Sequence, residues 1–146
     1  MKITNFKSRY RFLSNFYLST IIWRRVEFPT LEHAFQAAKS NIKSERIKIS
    51  KLSTPGEAKA AGRKLSLRQD WENVKFEIMF ELLKIKFKNK TLQTQLINTK
   101  DIFLIEGNWW HDNIWGNCSC KKCENIVGQN MLGKLLMKLR SELIND

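Results

Sequence analysis

The strongest constraint on the fold of this chain is a long amphipathic helix, which apolar spacing predicts near the middle of the sequence. Asp70 is a good N-cap residue, and apolar side chains recur every three or four positions from residue 71 to about 88. We therefore expect a central core helix there. Its stripe comprises Trp71, Val74, Ile78, Leu82 and Ile85, broadened by Met79, Leu83 and Phe87.

Shorter elements are predicted on both sides of this helix. Runs of β-branched and aromatic residues predict strands at 3–6 and 21–28, and a compact apolar run predicts a buried strand at 102–106. Thr54, Pro55 and Glu57 form a capping box that predicts another helix. Further helices are expected at 92–99 and 130–143. No repeat or linker interrupts the order, so we predict an α+β fold: one compact, mostly helical domain around a small β-sheet, spanning 1–146.

Composition narrows the functional classes. With 146 residues and 42% hydrophobic content, the chain can bury one core, but it has no apolar run of bilayer length and no signal-peptide pattern. We expect a cytoplasmic protein without a membrane partner. Twenty-six basic against fourteen acidic residues give a net charge of +12, which favours an anionic partner. The alternative is a set of solvated basic helix faces, since no recognisable nucleic-acid-reading motif accompanies the charge.

The segment 28–39 combines a predicted strand end, a helix start and several polar side chains. Pro29 disfavours a helical residue before it, and Thr30 is a good N-cap. Glutamate is common in a first helical turn because it offsets the helix dipole, so a purely structural interpretation stays open, as it does for His33. The predicted buried face is Leu31, Phe35, Ala38 and Ile42, and the polar row beside it is Glu32, Gln36, Lys39 and Lys43.

Two further polar residues are candidates for ligand contacts. Asn15 lies among the aromatic residues of segment 12–17, where its amide could orient a ligand hydroxyl or bind its own turn. Arg63 lies on the helix predicted after Thr54 and could hold a phosphate with two parallel hydrogen bonds, or belong to a solvated basic face.

The segment 106–116 is unusually rich in reactive and aromatic side chains. It contains three tryptophans, two carboxylates and a histidine within eleven residues, directly after a predicted strand. Tryptophan faces can stack on a base or sugar, and a carboxylate beside them is suited to acid or base catalysis. Alternatively, the tryptophans anchor the edge of the core and Asp112 caps a turn.

Cys118, Cys120 and Cys123 lie too close together for an ordinary disulfide framework, and their number is odd. Reduced thiols are the default interpretation. Three thiolates at this spacing could bind zinc if His111 supplied a fourth ligand, so a metal site also stays open.

Five motifs follow one another in the sequence and together span nearly the whole chain. They are the segment Phe12-Leu13-Ser14-Asn15-Phe16-Tyr17, the run Phe28-Pro29-Thr30-x-Glu32-His33-x-x-Gln36-x-x-Lys39, the pair Asp70-Trp71, the motif Asp112-x-x-Trp115-Gly116 and the helix motif Asn130-x-Leu132-Gly133-x-x-Leu136-Met137-x-x-Arg140. In this order the motifs resemble those of the NADAR family, also called YbiA-like.

This resemblance implies an N-glycosidase that acts on ADP-ribosyl or ribosyl-phosphate substrates. Family members are linked to breakdown of ribosylamino intermediates of riboflavin synthesis or to removal of ADP-ribose from guanine bases, which makes ADP-ribosylated DNA a candidate partner. The chemistry requires no metal or redox cofactor. The resemblance implies catalytic roles for Glu32 and Asp112 and substrate-binding roles for Asn15, Gln36, Lys39, Arg63, Trp71 and Trp115.

Two other functional classes stay open. One is a binding module that recognises ADP-ribose or NAD without turnover. The other is a basic nucleic-acid-binding protein with a zinc-stabilised loop, motivated by the charge and by the cysteines. The segment 118–123 departs from the family pattern, since many relatives carry glycine-rich sequence there.

Overall fold

The computed structural model describes residues 1–146, which divide into two compact units. The central unit is Asn15–Asn89, and the terminal unit combines Met1–Ser14 with Lys90–Asp146. Helices dominate, and the strands form three separate two-stranded sheets. The predicted α+β, mostly helical class is confirmed, whereas one domain over 1–146 stays a prediction. None of the helices has the length and apolar character needed to span a membrane.

The observed bounds of the strands and helices can be compared with those predicted from the sequence. The strands are β1 (Lys2–Ile3), β2 (Leu18–Trp23), β3 (Val26–Thr30), β4 (Phe103–Leu104), β5 (Gly107–Asn108) and β6 (Asn117–Cys118). The α-helices are α1 (Leu31–Ala37), α2 (Lys43–Ser50), α3 (Pro55–Arg63), α4 (Trp71–Lys86), α5 (Lys90–Ile97) and α6 (Met131–Asn145). Two 3-10 helices lie at Ser8–Leu13 and Lys121–Cys123.

A β-hairpin replaces the single strand that the sequence predicts at 21–28. β2 and β3 pair antiparallel, with Trp23 opposite Val26. Arg24 and Arg25 form the turn, with φ values of 50° and 64°. Positive φ at both central positions is typical of a type I′ hairpin turn, which glycine or asparagine usually occupies. The prediction was wrong here because two arginines do not signal such a turn.

Helix α1 begins where the sequence predicts but ends early. The Thr30 side chain accepts a hydrogen bond from the His33 backbone N–H, at 3.1 Å, which confirms the predicted N-cap. The expected continuation to residue 43 is wrong, because α1 stops at Ala37 and Ile42 is an exposed residue before α2. Every side chain of α1 is buried, since β2, β3, α2, α3 and α4 all contact it. Its polar residues therefore lie inside the protein.

Helices α3 and α4 begin where the sequence predicts, whereas α2 was not predicted as a separate helix. Thr54 caps α3 by accepting a hydrogen bond from the Glu57 N–H at 3.1 Å. Asp70 precedes α4 as predicted, but its carboxylate makes no capping bond and instead accepts two hydrogen bonds from Arg68, at 2.6 and 3.0 Å. The buried residues of α4 include Ile78, Met79, Leu82 and Leu83, as its stripe predicts.

In the terminal unit, α6 packs against β4, which pairs in parallel with β1. These strands contain only two residues each and are shorter than the sequence predicts. Gly133 permits the close approach, because a Cβ atom at this position would clash with the Leu104 carbonyl oxygen. Buried Arg140 donates hydrogen bonds to the Thr99 hydroxyl and to the Ile102 carbonyl, both at 2.8 Å. The end of α6 is thereby tied to the chain segment before β4.

Candidate active site

The most unusual feature of the central unit is a carboxylate buried within its core. Glu32 lies in the first turn of α1 and is only 7% exposed. Gln36, one helical turn later, donates a hydrogen bond from Nε2 to Glu32 Oε1 at 2.7 Å. A buried carboxylate is costly unless hydrogen bonds or charges compensate it, so a polar environment must surround Glu32. The first two residues of the predicted polar row, Glu32 and Gln36, are therefore neighbours in the structure.

Asn15 joins this polar group through its backbone and its side chain. Its carbonyl oxygen accepts the Glu32 N–H at 3.0 Å, which fixes the start of α1 against segment 12–17. Its amide Nδ2 donates to the Met79 sulfur at 3.6 Å. The Oδ1 atom of Asn15 and the Oε1 atom of Gln36 are both buried without a hydrogen-bond partner. Buried oxygens of this kind are rare and suit a ligand that supplies hydroxyl or N–H donors.

Gly62 lies against Gln36, and no motif in the sequence singled it out. It is buried on α3, and a Cβ atom there would clash with Oε1 and Cδ of Gln36. Glycine at this position thus gives the Gln36 amide the space it occupies beside Glu32. An isolated glycine within a predicted helix was the available signal, because such residues often mark a close approach of another group.

Lys39 lies within electrostatic range of Glu32 and of two other basic side chains. Burial lowers the pKa of Lys39, and the positive charges of Arg63 and Lys59 lower it further, while the negative charge of Glu32 opposes the change. Lys39 is half-buried directly after α1, and Arg63 is exposed at the end of α3. Several cations share one neighbourhood with a single buried carboxylate. Such a neighbourhood favours an additional negative charge, and phosphate is the ligand group that supplies one.

His33 has the bonding pattern of a structural residue. It is fully buried, its Nε2 lies 3.0 Å from the Leu52 carbonyl oxygen, and its Nδ1 lies 2.7 Å from the Thr30 hydroxyl. Because a carbonyl only accepts, Nε2 donates and the neutral ring accepts at Nδ1. Burial lowers the pKa of His33, which favours this neutral form. The Nε2 bond thus holds α1 against the chain before α3, while Nδ1 bonds the N-cap residue of its own helix.

Trp71 packs within the core of the central unit. It is 6% exposed, and its ring centroid lies 5.1 Å from that of Phe35 on α1. The structure therefore gives Trp71 a packing role behind α1. Direct stacking of Trp71 on a substrate base stays a prediction.

Asp112 and Trp115 lie in the terminal unit, in a loop built around a second missed residue, Asn108. Asp112 Oδ1 accepts hydrogen bonds from the N–H groups of Ile114 and Trp115, at 3.1 and 2.9 Å. Buried Asn108 accepts from the Asp112 N–H at 3.1 Å and donates to the Asp112 carbonyl oxygen at 2.8 Å. Asp112 therefore shapes the turn that presents Trp115, as the structural alternative predicted.

The other tryptophans of this loop are not core anchors. Trp109 and Trp110 are 60% and 47% exposed, and their ring centroids lie 5.6 Å apart in an edge-to-face arrangement. Lys7 places its Nζ atom 4.1 Å from the centroid of the Trp109 ring. Trp115 is half-buried. The alternative in which all three tryptophans fill the edge of the core is excluded for the first two.

The structure thus groups Asn15, Glu32, Gln36 and Lys39 in the central unit, with Arg63 nearby, and joins Asp112 to Trp115 in the terminal unit. Substrate contact by any of these residues stays a prediction.

Sequence and structure comparisons identify similar proteins. The model of the NADAR domain family matches residues 4–144. N-glycosidase YbiA of Escherichia coli is 38% identical over 119 residues, which cover 80% of this chain and 71% of that protein. The NMR structure of E. coli YbiA superposes with a TM-score of 0.83 at 32% identity, covering 99% of this chain and 84% of that one.

Two other similar proteins come from a cyanobacterium and a plant. N-glycosidase Npun_R5314 of Nostoc punctiforme is 37% identical over 143 residues, or 93% of this chain and 87% of that protein. The chloroplastic riboflavin biosynthesis protein PYRR of Zea mays is 35% identical over 132 residues. That match covers 80% of this chain but only 20% of PYRR.

Proposed function

Because this chain belongs to the NADAR domain family, we propose that it is a hydrolase that cleaves the N-glycosidic bond of a ribosyl-phosphate or ADP-ribosyl substrate. The observation that carries the proposal is the match to N-glycosidase YbiA over 80% of the chain. The similarity to PYRR, a riboflavin biosynthesis protein, supports ribosylamino intermediates of that pathway as one substrate class.

Glu32 is the proposed catalytic carboxylate. Cleavage of an N-glycoside passes through a ribosyl cation-like state, which a carboxylate stabilises while water attacks the anomeric carbon. The C–O bond to water forms, the C–N bond breaks, the attacking water releases one proton, and the departing nitrogen takes up one proton. The bond from Gln36 holds one oxygen of Glu32 in place, which matches the preorganisation that such stabilisation requires. No step of this reaction consumes an oxidant or a reductant.

The buried amide oxygens suit the sugar of the substrate. Asn15 Oδ1 and Gln36 Oε1 can accept hydrogen bonds from ribose hydroxyls, which would satisfy groups that are otherwise costly to bury. In this proposal Gln36 serves two purposes: its nitrogen donates to Glu32, and its oxygen, which packs beside Gly62, accepts a hydrogen bond from the ribose. This arrangement links recognition of the ribose to the position of the catalytic carboxylate.

The basic groups near Glu32 suit the phosphate of the substrate. We assign phosphate binding to Lys39 and Arg63, with Lys59 adding positive charge. A bound phosphate would offset the mutual repulsion of these cations and the cost of burying Lys39. The net charge of +12 also favours a substrate attached to DNA, so ADP-ribosylated DNA belongs among the candidates.

Asp112 and Trp115 receive supporting roles in the proposal. Asp112 is half-buried and holds the turn before Trp115, while its negative charge can also position a ribose hydroxyl or the attacking water. Trp115 is the proposed stacking surface for the base. The cytoplasmic location predicted from the sequence suits small nucleotide substrates and stays part of this proposal.

The decisive experiment measures product formation by wild-type protein and by Glu32→Gln. Three candidate substrates are incubated separately: a ribosylamino-pyrimidine phosphate, DNA with ADP-ribosylated guanine, and NAD. Mass spectrometry then detects the released sugar phosphate or ADP-ribose. The variant retains an oxygen that can accept the bond from Gln36, so we expect a stable protein with turnover reduced by about 100-fold or more.

A matched control variant and two possible outcomes test the role of Glu32. Glu72→Gln removes a carboxylate from an exposed position in the first turn of α4 and should leave turnover unchanged. Undiminished turnover by Glu32→Gln would refute the role of Glu32. A thermal shift with ADP-ribose but no product from any substrate would favour the non-catalytic binding module.

A further inference from the structure

His111, Cys118, Cys120 and Cys123 come together in the terminal unit although they span thirteen residues of sequence. The imidazole and thiol ligand atoms of all four residues lie within 4.8 Å of one another. The His111 Nδ1 atom is 3.3 Å from the Cys120 sulfur and 3.4 Å from the Cys123 sulfur. The tertiary structure thus supplies the fourth group that the cysteine spacing alone lacked.

These distances are close to those of a tetrahedral zinc site. Zinc binds thiolate sulfur at about 2.3 Å and imidazole nitrogen at about 2.0–2.1 Å, so ligand atoms at the corners of the tetrahedron are roughly 3.6–3.8 Å apart. Small side-chain adjustments therefore bring the four atoms into this geometry. We propose that His111, Cys118, Cys120 and Cys123 bind one zinc ion as a structural site.

The environment of the sulfur atoms fits their use as thiolate ligands. The backbone N–H groups of His111 and Cys120 donate to the Cys118 sulfur, at 3.3 and 3.4 Å. The Asn113 side chain donates to the Cys123 sulfur at 3.4 Å. Donors of this kind orient metal-bound ligands and stabilise their negative charge. The local backbone thus supports the site as well as providing its ligands.

Charge and burial agree with this assignment. Three thiolates and a neutral imidazole leave one net negative charge around Zn²⁺, and the exposed Lys121 and Lys122 lie between two of the ligands in the chain. Cys118 and Cys123 are 3% and 5% exposed, whereas Cys120 is half-buried and His111 is exposed, so two of the four ligands are shielded from water. A tetrahedral site filled by four protein ligands has no open position for substrate, which makes it structural rather than catalytic.

The zinc ion would stabilise the loop that includes Asp112 and Trp115. Both residues lie between His111 and Cys118 in the sequence. The regular structure of segment 111–123 is limited to the two residues of β6 and the 3-10 helix Lys121–Cys123. Binding of one ion to ligands at both ends of this loop stabilises its folded conformation, because the assembled site is absent from the unfolded chain. The predicted cytoplasmic location would keep the three thiols reduced.

The test measures metal content and thiol reactivity of the full chain purified under reducing conditions. We expect elemental mass spectrometry to detect one zinc ion per protein chain. We also expect cobalt substitution to give the intense visible bands of tetrahedral thiolate coordination. The double variant Cys120→Ser/Cys123→Ser should lose the zinc, whereas Lys122→Ser, an exposed position between the same ligands, should retain it.

A chelator distinguishes a site that supports the fold from one that merely binds metal. EDTA should lower the melting temperature of wild-type protein and of Lys122→Ser, and leave that of the double variant unchanged. Stoichiometric iron in place of zinc would overturn the assignment. So would wild-type protein that contains no zinc and whose three thiols react freely with a thiol reagent after zinc is added. The wild-type measurements decide the question even if the double variant does not fold.

Discussion

Replacing Lys86 by methionine should stabilise the protein at neutral pH. Lys86 lies at the end of α4, is 2% exposed, and its Nζ atom is 5.4 Å from the ring centroid of Phe87 and 5.7 Å from that of Tyr17. Burial lowers the pKa of Lys86 from 10.5 to about 7. Methionine has similar length and no charge, so it removes the cost of burying the ammonium group.

The size of the effect follows from this difference in pKa. The pKa of Lys86 falls from 10.5 to about 7, and each pKa unit corresponds to about 1.4 kcal/mol. This difference sets an upper limit of about 5 kcal/mol on the free-energy cost of burying the charged side chain. At pH 7 we expect Lys86→Met to raise the free energy of unfolding by about 2–4 kcal/mol, because the variant also loses contacts of the ammonium group. The gain should be largest below pH 7, where folded and unfolded chains are both protonated at Lys86.

The sign of the pH dependence is fixed by proton binding. Between about pH 7 and 10.5 the unfolded chain binds the Lys86 proton and the folded protein has released it, so this group makes the wild type more stable as pH rises. Urea unfolding at pH 6, 7, 8 and 9 measures the effect. The advantage of Lys86→Met over wild type should shrink by about 2–3 kcal/mol between pH 7 and 9.

Exposed Lys84, on the same helix, provides the control. Lys84→Met removes the same charge at the surface and should change stability by less than about 0.5 kcal/mol at every pH. The reasoning is refuted if Lys86→Met is destabilised by a constant amount at all four pH values. That result would mean that the ammonium group makes favourable interactions outweighing its burial.

Two further predictions concern the candidate active site. Gly62→Ala should displace the Gln36 amide and reduce turnover by about tenfold or more. The control Gly56→Ala should not reduce turnover, because its added Cβ would only touch the Thr54 hydroxyl at 3.8 Å. Equal turnover for both variants would contradict the role given to Gln36. Asp112→Asn retains an oxygen to accept the Trp115 N–H and should preserve the melting temperature, whereas Asp112→Ala should lower it. Because Asp112→Asn removes the charge but keeps the hydrogen bond, we expect it to lose turnover. Full activity of Asp112→Asn would show that Asp112 has only a structural role.

Features that depend on neighbouring residues could be predicted from the sequence. Thr30 and Thr54 begin helices as expected, because each caps an N–H group only three residues away. The apolar stripe of α4 also identified its buried face. Arg24 and Arg25 show the limit of this approach. Their turn requires positive φ that no local residue preference indicates, so it is imposed by the pairing of β2 with β3.

The candidate site also combines features set by neighbouring residues with features set by tertiary contacts. Residue types and spacing alone pointed to Glu32 and Gln36 as neighbours on one helix and to three cysteines as possible metal ligands. Only the tertiary structure decided that α1 is buried on all sides, that Gly62 of α3 gives space to Gln36, and that His111 reaches the cysteines. The physical reason is that helical spacing and capping arise within a few residues, whereas burial and coordination depend on groups that the chain brings together from distant positions.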